Sequence, residues 1–286
     1  MSTFPADIFA GKRFAVVGLG KNGLPAARGL HAMGAEVTAW DDKPEARAAA
    51  ADLTLRDPSV GASAFDALVL SPGIPHRLPR PHPAAERATG AGVPILTDVE
   101  LLYQAVRAAG SKARFAGITG TNGKSTTTAL LAHILSTAGI PVAAGANLGP
   151  AALSLPLLPH HGVYVLEMSS YMLERLATLR FDAAAMLNLS ADHLDRHGDM
   201  AAYALAKRGI FARQTDADHG KVVRGLPVEH RTLRPGVPCH VAVSIDVVGG
   251  EVQHNRRIEA HGRESLQHVG GHFQHVHSMV WQQRQR

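Results

Sequence analysis

The stretch GITGTNGKSTTTALLAHIL, residues 117–135, joins the end of an apolar run to a glycine-rich turn and then to a helix that begins with a lysine and several hydroxyl side chains. The apolar run, RFAGIT at 114–119, has the composition of a buried strand. Apolar side chains then recur at helical spacing before a glycine and a proline that end the helix: Leu130, Leu131, Ile134, Leu135 and Ala138, followed by Gly139 and Pro141. This order of strand, turn and helix predicts a phosphate-binding unit of an α/β protein.

The loop departs from the strict Walker pattern, because Ile118 stands where a glycine is expected five residues before Gly123. It keeps the chemistry of that pattern: backbone amides can cradle phosphates, Lys124 can neutralise the β/γ charge, and Ser125 can bind Mg²⁺. A capped helix that happens to follow glycines is the alternative, but a lysine has no structural reason to open such a helix. We therefore predict an ATP site made of Gly120, Thr121, Asn122, Gly123, Lys124, Ser125, Thr126 and Thr127.

A second glycine loop, GLGKNG at 18–23, follows the apolar run RFAVVG at 13–18, and Asp41 ends the next apolar run. Amides at the start of a helix can face a diphosphate, and the glycines allow it to approach closely. A tight strand-to-helix turn without a ligand is the alternative. The pattern favours nucleotide binding without choosing the nucleotide, so an NAD-dependent dehydrogenase stays open here.

Short apolar runs alternate with helical patterns along most of the chain, which predicts an α/β fold with parallel sheets. The predicted strands are 13–18, 35–40, 67–72, 114–119, 163–168 and 182–188. We predict a Rossmann-like domain at 1–109, a P-loop-type central domain at 110–218 and an atypical tail at 219–286, which is rich in histidine and contains a possible hairpin at 240–252.

Composition excludes several classes of protein. The basic residues behind the formal charge of +5 are scattered and aromatics make up only 5%, which argues against nucleic acid. The single cysteine, Cys239, excludes a disulfide framework. The start of the sequence lacks a secretory pattern and no run is long enough to span a membrane, so we expect a soluble cytoplasmic protein.

Two stretches after the ATP loop carry further polar side chains. Glu167 ends the apolar run VYVLEM, where a magnesium ligand is expected beside a phosphate loop, although a helix cap is the alternative. NLSADHLDRHGD, residues 188–199, places His193 and His197 at the spacing of two zinc ligands, but Leu194 replaces the metalloprotease glutamate and no third ligand is evident. A role at the nucleotide site is favoured over zinc and over a plain acidic helix start.

These motifs together carry a family resemblance. GITGTNGKSTT, LEMSSYMLE, NLSADHLDRHGDMAAYALAKRGIF, the early GLGKNG and SPGI (71–74) resemble the Mur ligases, in the same order, from about residue 11 to residue 214. The resemblance implies that the first domain holds the UDP of a UDP-sugar and that the central domain holds ATP and Mg²⁺.

Site residues follow from the resemblance, position by position. It implies that the UDP portion faces Gly20, Lys21, Asn22, Asp41 and Ser71, with Asn147 on the muramoyl side. It implies that magnesium is held by Ser125, Glu167, His193 and Lys207, and that the catalytic set is Lys124, Glu167, His193 and Lys207. In the family, the lysine that matches Lys207 is carbamylated, which turns a cation into an anion with oxygen donors suited to Mg²⁺.

The resemblance also implies a reaction in peptidoglycan biosynthesis. ATP would phosphorylate the carboxylate of UDP-N-acetylmuramoyl-L-alanine, and the amine of D-glutamate would attack the acyl phosphate to form an amide. Complete ligases of the family have a third domain, which we expect this sequence to lack, since about 150 more residues would be needed. We therefore expect nucleotide binding without ligation, and a non-catalytic nucleotide-binding fragment is the alternative function.

Overall fold

The computed structural model describes residues 3–61, 64–215 and 218–222. The predicted hairpin at 240–252, Cys239 and the histidine-rich end of the sequence lie outside them. Within the described residues the chain forms two five-stranded sheets, and all the strand pairings in both are parallel. The predicted α/β class is confirmed.

The first sheet has the strand order β3-β2-β1-β4-β5. Its middle strand is buried and apolar from Phe14 to Val17, and so is the neighbouring strand from Ala67 to Leu70, which is typical of parallel strands covered on both faces. Val16 of the middle strand pairs with Ala39 on one side and with Val69 on the other. The strands are β1 (Arg13–Val17), β2 (Glu36–Trp40), β3 (Thr54–Leu55), β4 (Ala67–Leu70) and β5 (Ile95–Leu96), and the helices are α1 (Gly23–Ala32), α2 (Pro44–Ala48), α3 (Pro83–Gly90) and α4 (Asp98–Ala108).

The second sheet has the strand order β10-β9-β6-β8-β7. The middle strand β6 ends at the ATP loop, and its Gly117 pairs with Leu166 and Ala184 on its two sides. The strands are β6 (Arg114–Thr119), β7 (Val142–Ala146), β8 (Val163–Glu167), β9 (Ala183–Met186) and β10 (His219–Val222). The helices are α5 (Lys124–Thr137), α6 (Ser170–Leu173), α7 (Leu194–His197) and α8 (Met200–Arg208), and 3-10 turns lie at Ala152–Ser154 and Gly209–Phe211.

The six predicted strands correspond to β1, β2, β4, β6, β8 and β9, shortened by up to three residues in total at their ends. The predicted helix after the ATP loop is α5, but its apolar stripe is less buried than the pattern suggests. Thr128 is the only α5 residue that the described part of the chain buries, and Ile134 is 40% exposed. The two domain boundaries at 109 and 218 stay predictions, and β10 begins one residue past the second of them.

Helix α4 connects the two sheets and is bound to both. Thr97 caps the helix by accepting from the backbone N–H of Glu100. The fully buried Glu100 carboxylate accepts from the backbone amides of Ala177, Thr178 and Leu179 in the central domain, at 2.8 to 3.0 Å. Burial by itself would raise the pKa of Glu100, but these hydrogen bonds and those of the Thr178 and Gln104 side chains hold it below its usual value. Glu100 therefore joins α4 to residues 177–179, which precede β9 of the second sheet.

Candidate functional site

The phosphate loop leaves the carboxyl end of β6 between the ends of two neighbouring strands, β8 and β9. Gly120 and Gly123 have backbone φ values of 154° and 82°, which residues other than glycine rarely adopt. The side chain of Asn188, just after β9, accepts from the backbone amides of Thr121 and Asn122 at 3.1 and 2.9 Å, and donates back to the Asn122 carbonyl. Sequence reasoning missed Asn188, although a polar residue directly after a buried parallel strand indicates such a position.

Lys124 opens α5, as predicted for a phosphate-binding lysine. Its ammonium donates to the carbonyl oxygens of Gly120 and Thr121 at 2.9 and 2.8 Å. The loop therefore holds the positive charge of Lys124 at the N-terminus of α5, where the helix also presents its free backbone N–H groups. Both features favour an anion at this place.

Glu167 lies at the end of β8, next to the loop, and is 3% exposed. One carboxylate oxygen accepts from the Ser125 hydroxyl at 2.8 Å, and the other accepts from the Asn147 side-chain amide at 2.7 Å. The structure thus brings together two predicted magnesium ligands, Ser125 and Glu167, and both offer the hard oxygen atoms that Mg²⁺ prefers. Asn147, predicted to lie on the muramoyl side, donates this hydrogen bond to Glu167, and its muramoyl role stays a prediction.

Lys207 extends from α8 to the same loop. It is 2% exposed, its ammonium donates to the Gly120 carbonyl at 2.8 Å, and it lies 4.6 Å from the centre of the Tyr203 ring. Burial, followed by repulsion from Lys124, lowers the pKa of Lys207 to about 7. An ammonium cannot bind a cation, so Lys207 fits a magnesium ion only after its amine has become an oxygen-bearing anion.

His193 and His197, which have the spacing of two zinc ligands, lie in different environments. His193 has φ 54°, its side chain is 49% exposed, and its Nε2 lies 3.5 Å from Asp192 Oδ2. The His197 ring is buried and its Nε2 lies 2.9 Å from the Ser170 hydroxyl. Burial, with repulsion from His193 and Lys207, lowers the pKa of His197 despite the opposing effect of Glu174. The described residues contain no group of three or more His, Cys, Asp or Glu side chains placed to hold a metal.

One cavity of about 290 Å³ collects the predicted catalytic side chains. Lys124, Lys207, His193 and Asn147 line it, and Ser125 and Glu167 are linked to Asn147 by the hydrogen bonds already described. The remaining lining residues are Pro72, Gly73, Ser169, Ser170, Tyr171 and Tyr203. Pro72 and Gly73 belong to the SPGI segment that follows β4, so residues near both sheets line the cavity.

The first glycine loop has the close approach that its pattern predicts. A Cβ atom on Gly23 would lie 1.7 Å from the Gly18 carbonyl oxygen, so only glycine fits there. Asp41 accepts from the backbone N–H of Leu19 at 2.7 Å, and the Ser71 hydroxyl donates to the Gly18 carbonyl at 2.6 Å. These two side chains shape the loop from behind.

The tip of this loop is open. Gly20 and Lys21 are exposed, and a Cβ on Gly20 would meet nothing within 4 Å. The Asn22 side chain instead turns to the central domain, where its amide donates to the Ala146 carbonyl at 3.1 Å and lies 3.5 Å from Asp98 Oδ2. Of the residues predicted to face UDP, Gly20 and Lys21 are therefore the freest to meet a ligand.

Residues 118–244 match the family model of the Mur ligase middle domain. This match, with the two parallel sheets and the loops at their carboxyl ends, identifies residues 118–244 of the chain as a Mur ligase middle domain.

Its relatives include the UDP-N-acetylmuramoylalanine–D-glutamate ligase of Paramagnetospirillum magneticum, which is 54% identical over 207 residues, covering 71% of this chain and 44% of that protein. The enzyme of the same name from Rhodospirillum rubrum is 50% identical over 217 residues, covering 72% of this chain and 44% of that protein. The chain therefore spans about half the length of the curated relatives it matches.

A solved structure supports the fold. The UDP-N-acetylmuramate:L-alanyl-gamma-D-glutamyl-meso-diaminopimelate ligase of Neisseria meningitides superposes with a TM-score of 0.51 at 20% identity, covering 74% of this chain and 71% of that one. Across the described residues, every helix is too short or too polar to cross a bilayer.

Proposed function

We propose that this chain supplies the UDP-sugar and Mg-ATP sites of a ligase that joins D-glutamate to UDP-N-acetylmuramoyl-L-alanine. The observation that carries the proposal is the pair of hydrogen bonds that Ser125 and Asn147 donate to the Glu167 carboxylate. The ammonium groups of Lys124 and Lys207 lie beside this pair, at the phosphate loop. A carboxylate and a hydroxyl next to a phosphate loop suit magnesium and a nucleoside triphosphate. A hydride-transfer enzyme needs neither the metal nor the triphosphate. The names of the relatives supply the substrates.

The reaction makes an amide from a carboxylate, so the carboxylate oxygen must first become a leaving group. ATP would transfer its γ-phosphoryl group to the alanyl carboxylate, and the amine of D-glutamate would then displace phosphate from the acyl carbon. Negative charge grows on phosphoryl oxygens in the first step and on the acyl oxygen in the second. Lys124 and Lys207 are placed to stabilise such charge, because both line the cavity described above.

Magnesium, when bound, would supply further charge neutralisation at the phosphoryl oxygens. Ser125 and Glu167 would hold one ion, and His193 with a carbamylated Lys207 would serve a second. In the structure Asn147 orients Glu167, and we assign it that task in addition to the muramoyl contact that the resemblance implies. These nucleotide substrates belong to the cytoplasm, where we propose that the protein acts.

The test is calorimetry with Mg-ATP and with UDP-N-acetylmuramoyl-L-alanine, each titrated separately into the purified chain. The proposal expects one site for each ligand, and Lys124→Ala should weaken Mg-ATP binding far more than UDP-sugar binding. An assay for phosphate release and amide product with D-glutamate then separates a ligase from the alternative, a nucleotide-binding protein without turnover. Binding of NAD in place of the UDP-sugar would contradict the proposal.

A further inference from the structure

The buried Ser170 and His197 and the partly exposed Glu174 form a line of polar side chains that the ligation described above does not use. The Ser170 hydroxyl lies 2.9 Å from His197 Nε2. On the other side of the ring, His197 Nδ1 lies 3.4 Å from Glu174 Oε1, which is longer than a good hydrogen bond. Nδ1 has no closer polar partner among the described residues.

The surroundings fix the plane of the His197 ring. Tyr171 stacks on it with ring centres 5.4 Å apart and planes 8° apart, and Tyr203 lies 5.3 Å away. The His197 side chain is 0% exposed, so its uncharged form is favoured. The ring therefore cannot turn to offer its nitrogens elsewhere without displacing two tyrosines.

The position of Glu174 selects one tautomer of the uncharged ring. An ionised carboxylate only accepts hydrogen bonds, so it favours the proton on Nδ1. Nε2 then carries a lone pair and accepts the hydroxyl proton of Ser170. The oxygen of Ser170 keeps only lone pairs for any other partner, which makes it an acceptor and not a donor.

Ser170 lines the same cavity as Lys124 and Lys207. An alanyl carboxylate that enters the cavity would be drawn to the lysine charges, and the amide nitrogen of that alanyl group is only two bonds from its carboxyl carbon. The N–H would therefore reach the same small cavity, where an acceptor is needed to compensate for lost water.

We propose that His197, oriented by Glu174, is a positioning residue that fixes the Ser170 hydroxyl as the acceptor for the alanyl amide N–H of the UDP-sugar substrate. The inference rests on the proposed function for the identity of this substrate. The orientation of the Ser170 hydroxyl, in contrast, is a property of the chain alone and can be tested without any ligand.

The first test is ¹⁵N nuclear magnetic resonance of the histidine side chains at neutral pH, with the His197 signals assigned by their loss in His197→Gln. We expect Nδ1 to carry the proton and Nε2 to show the shift of an unprotonated nitrogen. In Glu174→Gln the new amide can donate to Nδ1, so the proton should move to Nε2. A proton on Nε2 in the unmodified chain, whether the ring is neutral or charged, would overturn the inference.

The second test compares the affinities of UDP-N-acetylmuramoyl-L-alanine and its L-lactate ester, in which oxygen replaces the amide N–H. One hydrogen bond should give a preference for the amide of roughly three- to tenfold. The preference should vanish in Ser170→Ala and in Glu174→Gln, and it should persist in His160→Gln, a control at an exposed histidine that accepts a hydrogen bond from Lys112.

The outcomes separate this inference from the proposed function. If the unmodified chain binds both ligands equally well, Ser170 is not the amide acceptor and the inference fails while the UDP-sugar site stands. If neither ligand binds, the proposed function fails and the inference falls with it.

Discussion

Lys124 and Lys207 donate hydrogen bonds to the same acceptor, the carbonyl oxygen of Gly120, at 2.9 and 2.8 Å. Two ammonium groups on one carbonyl repel each other, and the repulsion adds to the cost of burying Lys207. Burial, with this repulsion added to it, lowers the pKa of Lys207 to about 7. The shared contact also makes the site ready for anions, which would relieve the repulsion.

The first prediction concerns stability and pH. The pKa of Lys207 in the fold, about 7, lies below the value of 10.5 expected in the unfolded chain. Between these values the unfolded chain binds a proton that the folded chain does not, so the contribution of Lys207 to the free energy of unfolding rises as pH increases from 7 towards 10. The free energy of unfolding, measured with urea, should therefore rise more between pH 6 and pH 9 for the unmodified chain than for Lys207→Met.

The control for that experiment is Lys112→Met, which removes an exposed lysine. Its pH dependence should match the unmodified chain. Equal slopes for all three proteins would show that Lys207 keeps an ordinary pKa. At pH 6 Lys207→Met should also be more stable than the unmodified chain, because the substitution removes a buried charge.

The second prediction concerns carbamylation. An amine whose pKa is about 7 is largely uncharged at pH 8 and can attack dissolved carbon dioxide. We therefore expect ¹³C-labelled bicarbonate to give a carbamate resonance at pH 8 that is absent in Lys207→Met. Persistence of that resonance in Lys207→Met would assign it to another amine.

The third prediction concerns the tip of the first loop. Gly20→Ala should change the free energy of unfolding by less than about 0.5 kcal/mol, since its methyl group meets nothing within 4 Å. It should nevertheless weaken UDP-sugar binding about tenfold or more if the diphosphate packs against Gly20. Gly23→Ala is the matched comparison, and it should destabilise the fold by about 3 kcal/mol, because its Cβ would lie 1.7 Å from the Gly18 carbonyl oxygen. Unchanged UDP-sugar affinity in Gly20→Ala would show that the diphosphate does not pack against this loop.

The fourth prediction separates the two nucleotides. Lys124→Ala should lower the affinity for Mg-ATP by about 10- to 100-fold, the value of hydrogen bonds to a charged group. Its affinity for UDP, which has no alanyl carboxylate to reach Lys124, should stay within about twofold, because distant sites behave independently. Calorimetry measures both, with Lys112→Ala as the control. A parallel loss of both affinities would mean that the two loops do not bind separate ligands.

The fifth prediction identifies the nucleotide of the first loop. UDP-N-acetylmuramoyl-L-alanine at 100 times its dissociation constant should stabilise the chain by about 2.7 kcal/mol, which is several degrees in the melting temperature. NAD at the same concentration should give no shift. An equal shift with NAD would defeat the UDP assignment.

The sequence by itself determined the six main strands, the two glycine loops and the helix after the second loop. These features depend on neighbours in the chain: apolar runs bury themselves as parallel strands, and glycine permits the backbone angles of the turns. Lys124 and Ser125 belong to this group, since both follow directly from the loop pattern. The resemblance to a family then added Lys207, which the local pattern treats as an exposed helix lysine.

Only the tertiary structure decided which distant residues meet. Asn188 holds Thr121 and Asn122, Glu167 joins Ser125 to Asn147, and His197 faces Ser170, because strand order brings the carboxyl ends of β6, β8 and β9 to one edge. The partial exposure of α5 was equally invisible, since periodicity indicates an apolar face without showing what covers it. Local sequence fixes backbone conformation, whereas burial and hydrogen-bond partners depend on the packing of elements that are far apart in the chain.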